Sequence, residues 1–486
     1  MQTTLPNFAR PGVNCAVPQV QSGTLHTLTV QREGFLEYLA NILALLFLSG
    51  GLVSGLRPTE GYAVEVTDKD FLSFAVQFVV YISILPFLIR NRKILLEAAK
   101  QHTLIWILVV TAFFSTLWSD SPVNTLKHSI LLFSTTLFGL YFGTRFGPGE
   151  QLRLLARALG LAAILSLGLA VLFPERGIMT WGNPGAWQGI FPHRNALARM
   201  MVLAAVVFLI RARDAKKPRF ASWIGLAIAT VLILFSESAT GLALLTLFLL
   251  LAWLAPAVRW RRSRLSFAIV LALFAIAGFG SWLSENWTDV LASLGKNPTL
   301  TGRTYLWGMV ILKALQRPWL GYGYNGFWLG LEGESAVIWK TMRWATPNAH
   351  NGFLDLWVSL GLIGLVTFLA SYAITLLRSL KQARSERTAI GLWPLAFLLF
   401  YFLHNLVETS MVQHNTLLWV LYVTVSASTV LHTGARQGEW LANTNGWQRA
   451  TNKQTEMILG RPAAARTKED SIAASHRGDY PQQCES

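Results

Sequence analysis

Apolar residues occupy long stretches of this chain, separated by short polar loops, and this pattern predicts membrane-spanning helices. A span needs about 20 mostly apolar residues to cross a hydrocarbon core roughly 30 Å thick. Twelve stretches fit: 35–55, 71–90, 102–118, 127–145, 153–174, 195–211, 221–237, 239–258, 265–284, 350–377, 389–409 and 415–432. Because backbone polar groups in lipid must be satisfied within each segment, these stretches should be helices. The predicted fold is an all-α, polytopic membrane helix bundle.

The polar stretches divide the chain into three predicted regions. Residues 1–33 would be a cytoplasmic segment, 34–432 one membrane domain, and 433–486 a disordered cytoplasmic tail rich in Gln, Asn, Lys and Arg. Residues 1–33 lack the apolar core and cleavage site of a signal peptide. The largest loop, 285–349, joins the ninth and tenth predicted spans and should lie on the outer face with helical structure of its own.

Composition and charge agree with a membrane protein. The 486 residues are 53% hydrophobic and 14% charged, which is too little charge for a soluble chain of this length. The net charge of +16 comes from basic residues concentrated in alternate loops, and such loops stay in the cytoplasm. We therefore predict that both termini are cytoplasmic and that the charge contacts lipid headgroups, with no nucleic acid involved. Cys15 and Cys484, near opposite ends, suggest neither a disulfide framework nor a metal site.

Unusual polar residues gather at the outer ends of the predicted spans and in the outer loops. They are His128, Arg194, Asn195, Arg199, Glu237, Arg303, His350, Asp355, His404, Asn405, Glu408 and His414. An ionisable group within a span costs about 2.5–3.5 kcal/mol on insertion scales, and it usually faces a cavity or a partner. Because mid-span stretches are nearly empty of charge, this distribution predicts one outward-facing polar site.

Two arginines at the start of the sixth predicted span are candidates for binding phosphate. Arg199 shares a helical face with Asn195, four residues earlier. A guanidinium offers a rigid fork that suits a phosphate group. The alternatives are that Arg194 only extends to the interface and that Arg199 forms a structural ion pair with a carboxylate such as Glu237 or Glu408.

His350 is the candidate general base, because an imidazole with a pKa near 6.5 transfers protons around neutral pH. A histidine at a helix start can equally be structural. His404 and Glu408 lie one turn apart, so the pair could orient a base, bind an arginine or bond to each other. Asp68-Lys69-Asp70 resembles an Asp-x-Asp metal pair, but a solvated loop is favoured. No metal and no cofactor are predicted.

The large outer loop contains two recognisable elements. Residues 303–315 can form an amphipathic helix that ends near Pro318, and Gly321–Trp328 is a glycine-rich aromatic turn. One interpretation is a helix in the membrane interface with a belt of tryptophans. Another is a lid whose aromatic side chains, including Tyr324 and Trp328, stack on sugar rings or pack on a lipid chain. The two interpretations are compatible.

Four motifs together resemble the O-antigen ligase and polymerase family, and within it the exopolysaccharide polymerases. His350-Asn351, followed after nine residues by Gly361-Leu-Ile-Gly364, is similar to the family's histidine motif. The arginine helix and the glycine-aromatic turn of the family's large loop resemble Thr301–Trp307 and Arg317–Trp328. The family's entry to a central span resembles Gly189–Asn195. Two shorter signatures resemble Leu117–Pro122 and Ser236–Gly241. Many relatives have His-Lys-Asn where this chain has His193-Arg194-Asn195. The similarity covers roughly residues 70–430.

The resemblance implies metal-independent, inverting glycan transfer on the periplasmic face of the bacterial inner membrane. The donor would be an oligosaccharide on undecaprenyl diphosphate, and the acceptor a glycan or glycolipid. Arg303 and one of Arg194 or Arg199 would hold the diphosphate, while His350 would assist the acceptor hydroxyl. The substrate-binding candidates are Arg199, Asn195, Asn351, Tyr324, Trp328, Glu408 and His404.

Several functions fit this resemblance and this residue pattern. The leading hypothesis is a polymerase that joins lipid-linked repeat units into exopolysaccharide or O-antigen, with export machinery as a candidate partner. A ligase to lipid A–core, as in lipopolysaccharide biosynthesis, would share the chemistry and differ in acceptor. A transporter of a small anion or inorganic carbon should place its site near the bilayer midplane, which is bare of charge here. The third alternative is a non-catalytic assembly subunit.

Overall fold

The computed structural model is all-helical over the residues it describes, which are 22–51, 71–180, 182–214, 220–258, 303–342, 346–386 and 388–431. We number its α-helices along the chain. They are α1 Ser22–Leu48, α2 Phe71–Arg90, α3 Arg92–Gln101, α4 Thr103–Phe114, α5 Pro122–Arg145, α6 Pro148–Leu172, α7 Pro174–Gly177, α8 Arg194–Arg213, α9 Phe220–Phe235, α10 Ala239–Val258, α11 Arg303–Gln316, α12 Ala336–Met342, α13 Gly352–Ser385, α14 Trp393–Asn405 and α15 Leu417–Leu431.

Three helices of the described part, α6, α8 and α13, are long and apolar enough to cross a membrane. Residues Arg92–Gln101 and Thr103–Leu117 would count as a fourth if this pair, bent by 93°, forms one span. Six shorter apolar helices lie beside them. The predicted all-α membrane architecture is therefore confirmed, whereas the count of twelve spans stays a prediction. The predicted span 265–284, the predicted tail 433–486 and residues 1–21 of the N-terminal segment lie outside the described residues.

Small residues allow α5 and α15 to approach closely. A Cβ added at Gly139 would lie 2.8 Å from the Val420 carbonyl oxygen, and one at Gly143 would lie 2.7 Å from that of Thr424. The hydroxyl of Thr424 in turn donates to the Gly139 carbonyl at 3.0 Å. Two glycines four residues apart are a common device for packing apolar helices backbone to backbone. This contact holds α5 and α15 together next to the loop that carries His414.

The long helix α13 is broken at Gly361, and the outer loop inserts into the break. Gly361 has φ +68° and ψ −171°, a conformation that side chains other than glycine rarely adopt. The amide of Leu362 donates to the Pro318 carbonyl at 2.8 Å, and the amide of Tyr322 donates to the Val358 carbonyl at 2.9 Å. The loop thus satisfies backbone groups that the break releases, and it is held against the helix that begins next to His350.

We expect Gly361→Ala to destabilise the protein strongly. A Cβ at this position would lie 2.0 Å from the Trp319 carbonyl oxygen, so the loop or the helix must move. Gly308→Ala on α11 is the matched control, because nothing lies within 4 Å of its added Cβ and alanine favours a helix by about 1 kcal/mol over glycine. Thermal unfolding in detergent should show a large loss for Gly361→Ala and none for Gly308→Ala. Equal stability of the two variants would contradict this account of the break.

Other predicted elements are found where the sequence pattern places them. The amphipathic helix predicted over 303–315 is α11, which ends at Gln316 just before Pro318. The predicted division between residues 237 and 239 coincides with the turn between α9 and α10. The predicted span 102–118 corresponds to the helical stretch Thr103–Leu117, which follows α3 after a sharp bend at His102. These connections bring the start of α8, the start of α11, the start of α13 and the end of α14 to the same place.

Candidate functional site

Glu408 is the centre of a polar cluster to which four separate segments contribute. It lies three residues beyond the end of α14. Arg303, the first residue of α11, donates to its Oε1 at 3.0 Å. His350 Nδ1 lies 3.1 Å from its Oε2, and the Asn195 side-chain amide donates to Oε1 at 3.3 Å. Of the polar residues predicted to share one outer site, the structure brings Arg303, His350, Asn195 and Glu408 together. Arg194, predicted to join Arg303 and His350, contacts the Glu237 carbonyl instead.

The cluster is partly buried but reachable from outside. The side chains of Arg303, His350 and Glu408 are 18%, 17% and 16% exposed, so all three lie at a similar shallow depth. Arg303 also donates to the Val407 carbonyl at 2.5 Å. These two contacts use two of the five N–H groups that a guanidinium offers.

The electrostatics of the cluster favour an ionised carboxylate. Burial alone raises the pKa of the Glu408 carboxyl, but the hydrogen bond from His350 and the positive charge of Arg303 outweigh it. The pKa of Glu408 therefore lies well below its usual value. Burial, followed by the charge of Arg194, lowers the pKa of the neighbouring His193. The guanidinium groups of Arg303 and Arg199 lie next to this glutamate, and their positive charge suits an anionic group.

His350 lies in a strained turn that hydrogen bonds of the neighbouring residues hold in place on both sides. Its φ is +49°, which is unusual for a residue with a Cβ. The amide of His350 donates to the Asn348 side chain at 2.9 Å. Asn351 caps α13 by accepting from the amides of Phe353 and Leu354, and its own side-chain amide donates to the Leu406 carbonyl at 3.2 Å. Backbone strain held by such contacts is common at functional sites. Asn351 is engaged as a helix cap and a link to the Glu408 loop.

The two arginines of α8 occupy different surroundings. Arg194 donates to the Glu237 carbonyl at 2.9 Å, at the turn between α9 and α10. Arg199 lies one and a half turns deeper and lines a cavity of about 10 Å³ together with Asn195, Ser238, His404 and Glu408. Such a volume is near the lower limit for one water molecule. The Nε atoms of both arginines are buried without a hydrogen-bond partner among the described residues. Arg199 is therefore the arginine that faces the Glu408 cluster from below.

His404 belongs to this inner layer. Its side chain is 2% exposed, it stacks on Phe400 with ring centroids 5.7 Å apart, and it lines the cavity beneath Glu408. Its Nε2 has no hydrogen-bond partner among the described residues. The structure thus places His404 next to Arg199 and Glu408, but away from the exposed surface of the cluster.

The aromatic candidates of the glycine-rich turn are packed into the protein. Tyr324 is 4% exposed, and its hydroxyl donates to the Val412 carbonyl at 2.8 Å. Trp328 is half-buried, and its indole N–H donates to Asp355 at 2.7 Å. Both side chains support the loops around the cluster, and binding of sugar by them stays a prediction. Asp68 and Asp70 lie outside the described residues.

The sequence assigned no role to three residues that lie next to the cluster. His193 caps α8 by accepting from the Asn195 amide at 3.2 Å. It lies close enough to Glu408 and Arg303 for their charges to influence its pKa. Ser238 donates to the Asn195 side-chain oxygen at 3.1 Å. Asp355 accepts from Trp328, Ala349 and Thr409. The available signals were a histidine in the His-Arg-Asn segment and a carboxylate at the start of an apolar helix.

Comparison with known proteins identifies relatives of this chain. Residues 224–369 match the family described as O-Antigen ligase, and this range contains Arg303, His350 and Asn351. The chain is also 26% identical over 318 residues to the exopolysaccharide production protein ExoQ of Rhizobium meliloti (strain 1021). That similarity covers 62% of this chain and 70% of the relative. The resemblance inferred from the motifs is therefore confirmed: residues 224–369 are similar to the O-antigen ligase family, and the chain is similar to an exopolysaccharide production protein.

Proposed function

We propose that this protein is a glycosyltransferase of polysaccharide assembly, which moves a glycan from a lipid diphosphate to an acceptor sugar. The observation that carries the proposal is the meeting of Arg303 and His350 on Glu408, at 3.0 and 3.1 Å. Both residues lie within the range that matches the O-Antigen ligase family. The relative in Rhizobium meliloti, an exopolysaccharide production protein, supports the same class of process.

In the proposed reaction, an acceptor hydroxyl attacks the anomeric carbon of the donor glycan. The new glycosidic bond forms as the bond between that carbon and the diphosphate oxygen breaks, and lipid diphosphate leaves with the bonding electrons. Attack from the face opposite the leaving group inverts the anomeric configuration. His350 takes the hydroxyl proton. Glu408 at Nδ1 favours the tautomer whose Nε2 accepts that proton, as a carboxylate does for a general-base histidine.

The positive charge around Glu408 stabilises the departing diphosphate. Negative charge grows on the leaving group during the reaction, and fixed cations in a partly dry site stabilise it more effectively than water does. Arg303 at the surface of the cluster and Arg199 below it are the proposed cations, with Arg194 at the rim. These guanidinium groups would perform the role that a metal ion plays in other transferases.

The surroundings of Arg303 suit a donor with a lipid tail. The outward face of α11 is apolar rather than polar, and its side chains Tyr305, Leu312 and Leu315 are each more than half exposed. Trp319, just beyond the helix, continues this face and is 66% exposed. An apolar stripe that starts beside Arg303 would allow the tail to remain in lipid while the diphosphate reaches the cluster. We propose undecaprenyl diphosphate as the carrier and the periplasmic leaflet of the inner membrane as the location, with both termini cytoplasmic.

We propose polymerisation of repeat units in preference to ligation, because the relative found is an exopolysaccharide production protein. The surface glycan of a strain that lacks this gene separates the two reactions. Loss of a polymerase leaves single repeat units on the acceptor. Loss of a ligase leaves long chains on the carrier lipid, and that result would overturn polymerisation while keeping the transfer chemistry.

Transport is the alternative of a different class. A transporter binds its substrate near the bilayer midplane, whereas Arg303, His350 and Glu408 sit at helix ends in shallow, partly exposed positions. Uptake of radiolabelled bicarbonate or phosphate by proteoliposomes containing the purified protein tests this alternative. Uptake above that of empty liposomes would contradict the proposed transferase.

A further inference from the structure

One buried carboxylate, that of Asp355, joins the two loops that carry His350 and Glu408. Asp355 lies in the first turn of α13 and is 8% exposed. The backbone amide of Ala349, the residue before His350, lies 3.0 Å from each of its oxygens. The hydroxyl of Thr409, the residue after Glu408, donates to its Oδ2.

A third donor ties Asp355 to the aromatic turn of the outer loop. The indole N–H of Trp328 donates to Oδ1 at 2.7 Å. Asp355 therefore receives hydrogen bonds from segments that are far apart in sequence and that meet only in the folded protein. Burying a carboxylate is costly unless hydrogen bonds compensate it, and an apolar side chain would avoid that cost at this position.

We propose that Asp355 is a positioning residue that fixes the separation of His350 and Glu408, an inference that rests on the proposed function. The carboxylate contacts both loops, one through Ala349 and the other through Thr409. His350 has a strained backbone at φ +49°, so its turn needs an external anchor to hold the ring 3.1 Å from Glu408. Asp355 contacts no reacting group, and it acts by holding His350 and Glu408 at the right separation.

The chemistry of an amide makes Asp355→Asn the informative substitution. An asparagine has one oxygen and one NH₂ group, so it cannot accept from Trp328 and Thr409 in the way that two carboxylate oxygens do. Trp328 can only donate, whereas the Thr409 hydroxyl can rotate to accept. The Ala349 amide can also only donate, so the asparagine NH₂ group that replaces Oδ2 repels it. We therefore expect the asparagine oxygen to remain at Trp328 and the link to the His350 loop through Ala349 to loosen.

The test measures glycan transfer by purified variants in proteoliposomes, with a polyprenyl-diphosphate-linked oligosaccharide as donor. A misplacement of about 1 Å can cost on the order of 100-fold in rate. We expect Asp355→Asn to lower kcat by roughly that factor while KM for the donor stays near the wild-type value. Thr409→Val removes only the link to the Glu408 loop and should lower kcat in the same direction.

The double variant His350→Asn/Asp355→Asn distinguishes positioning from folding. If Asp355 acts only through His350, the second substitution should add almost nothing to the loss caused by the first, whereas a general folding defect would lower the remaining activity further. Thr367→Val is the matched control, because the Thr367 hydroxyl donates only within its own helix, to the Ile363 carbonyl. This control should keep the wild-type rate.

Parallel measurement of His350→Ala separates the two levels of the proposal. Absence of glycan transfer by the wild-type protein would overturn the proposed function itself, and an active His350→Ala variant would overturn the role of His350 as the base. If His350→Ala is inactive while Asp355→Asn and Thr409→Val keep the wild-type kcat, only the positioning role of Asp355 is wrong. Thermal unfolding of each variant in detergent verifies that the comparison concerns folded protein.

Discussion

Arg303→Ala should reduce glycan transfer by about 100- to 1,000-fold, the usual cost of removing one fixed donor that stabilises developing charge. Arg303 is the cation nearest the exposed side of the cluster, and its guanidinium contacts Glu408 and the Val407 carbonyl. Arg303→Lys should restore only a small part of the activity, because an ammonium group keeps the charge but lacks the planar fork. The rate of transfer by purified protein in proteoliposomes measures both effects.

Arg317→Ala is the matched control for Arg303→Ala. Arg317 follows α11 in the same loop and forms an ion pair of the same length, 3.0 Å, with Asp120. Its side chain is 41% exposed, and ion pairs at such surfaces contribute about 0–1 kcal/mol. We expect Arg317→Ala to keep nearly full activity. Equal losses from both substitutions would mean that the charge of the loop, rather than the site at Glu408, governs transfer.

The second large effect is expected from His350→Asn, which should lower kcat by about 100- to 10,000-fold, the range for loss of a general base. Asparagine tolerates a positive φ better than most residues, so the turn at φ +49° should keep its shape. The variant nevertheless lacks the ring nitrogen that receives the acceptor proton.

Comparison with His350→Ala makes the result specific. Alanine removes the same base and also fits the left-handed backbone poorly, so it should lower both activity and thermal stability. The account predicts that the two variants are equally inactive but that only His350→Ala is less stable. Substantial transfer by His350→Asn in a folded state would show that the imidazole is structural.

The parts of the site that follow from local patterns could be predicted from the sequence. The helix α11, the glycine-aromatic turn and the helix that starts after His350-Asn351 all rest on local residue preferences. The gathering of polar groups at the outer helix ends indicated one site, because charge within lipid requires a partner. Residue type therefore predicted a shared outer site, and the structure shows that Arg303, His350 and Glu408 are in contact there.

The partners themselves could not be predicted, because they depend on long-range packing. Glu408 was a candidate among several carboxylates, and its place at the centre follows from how the end of α14 meets the starts of α8, α11 and α13. The role of Asp355 depends on contacts across 27 and 54 residues. The break at Gly361 also had no local signal of its own, since an apolar stretch containing glycine resembles a continuous helix until the Pro318 carbonyl is placed beside it.

The central claim is that the cluster around Glu408 transfers glycan from a lipid diphosphate. The most direct measurement uses proteoliposomes that contain only this protein, a polyprenyl-diphosphate-linked oligosaccharide and an acceptor glycan. The account predicts that the wild-type protein releases polyprenyl diphosphate and forms a glycosidic bond of inverted anomeric configuration, seen by NMR, and that Arg303→Ala and His350→Asn do neither. Product formed at the wild-type rate by both folded variants would contradict it.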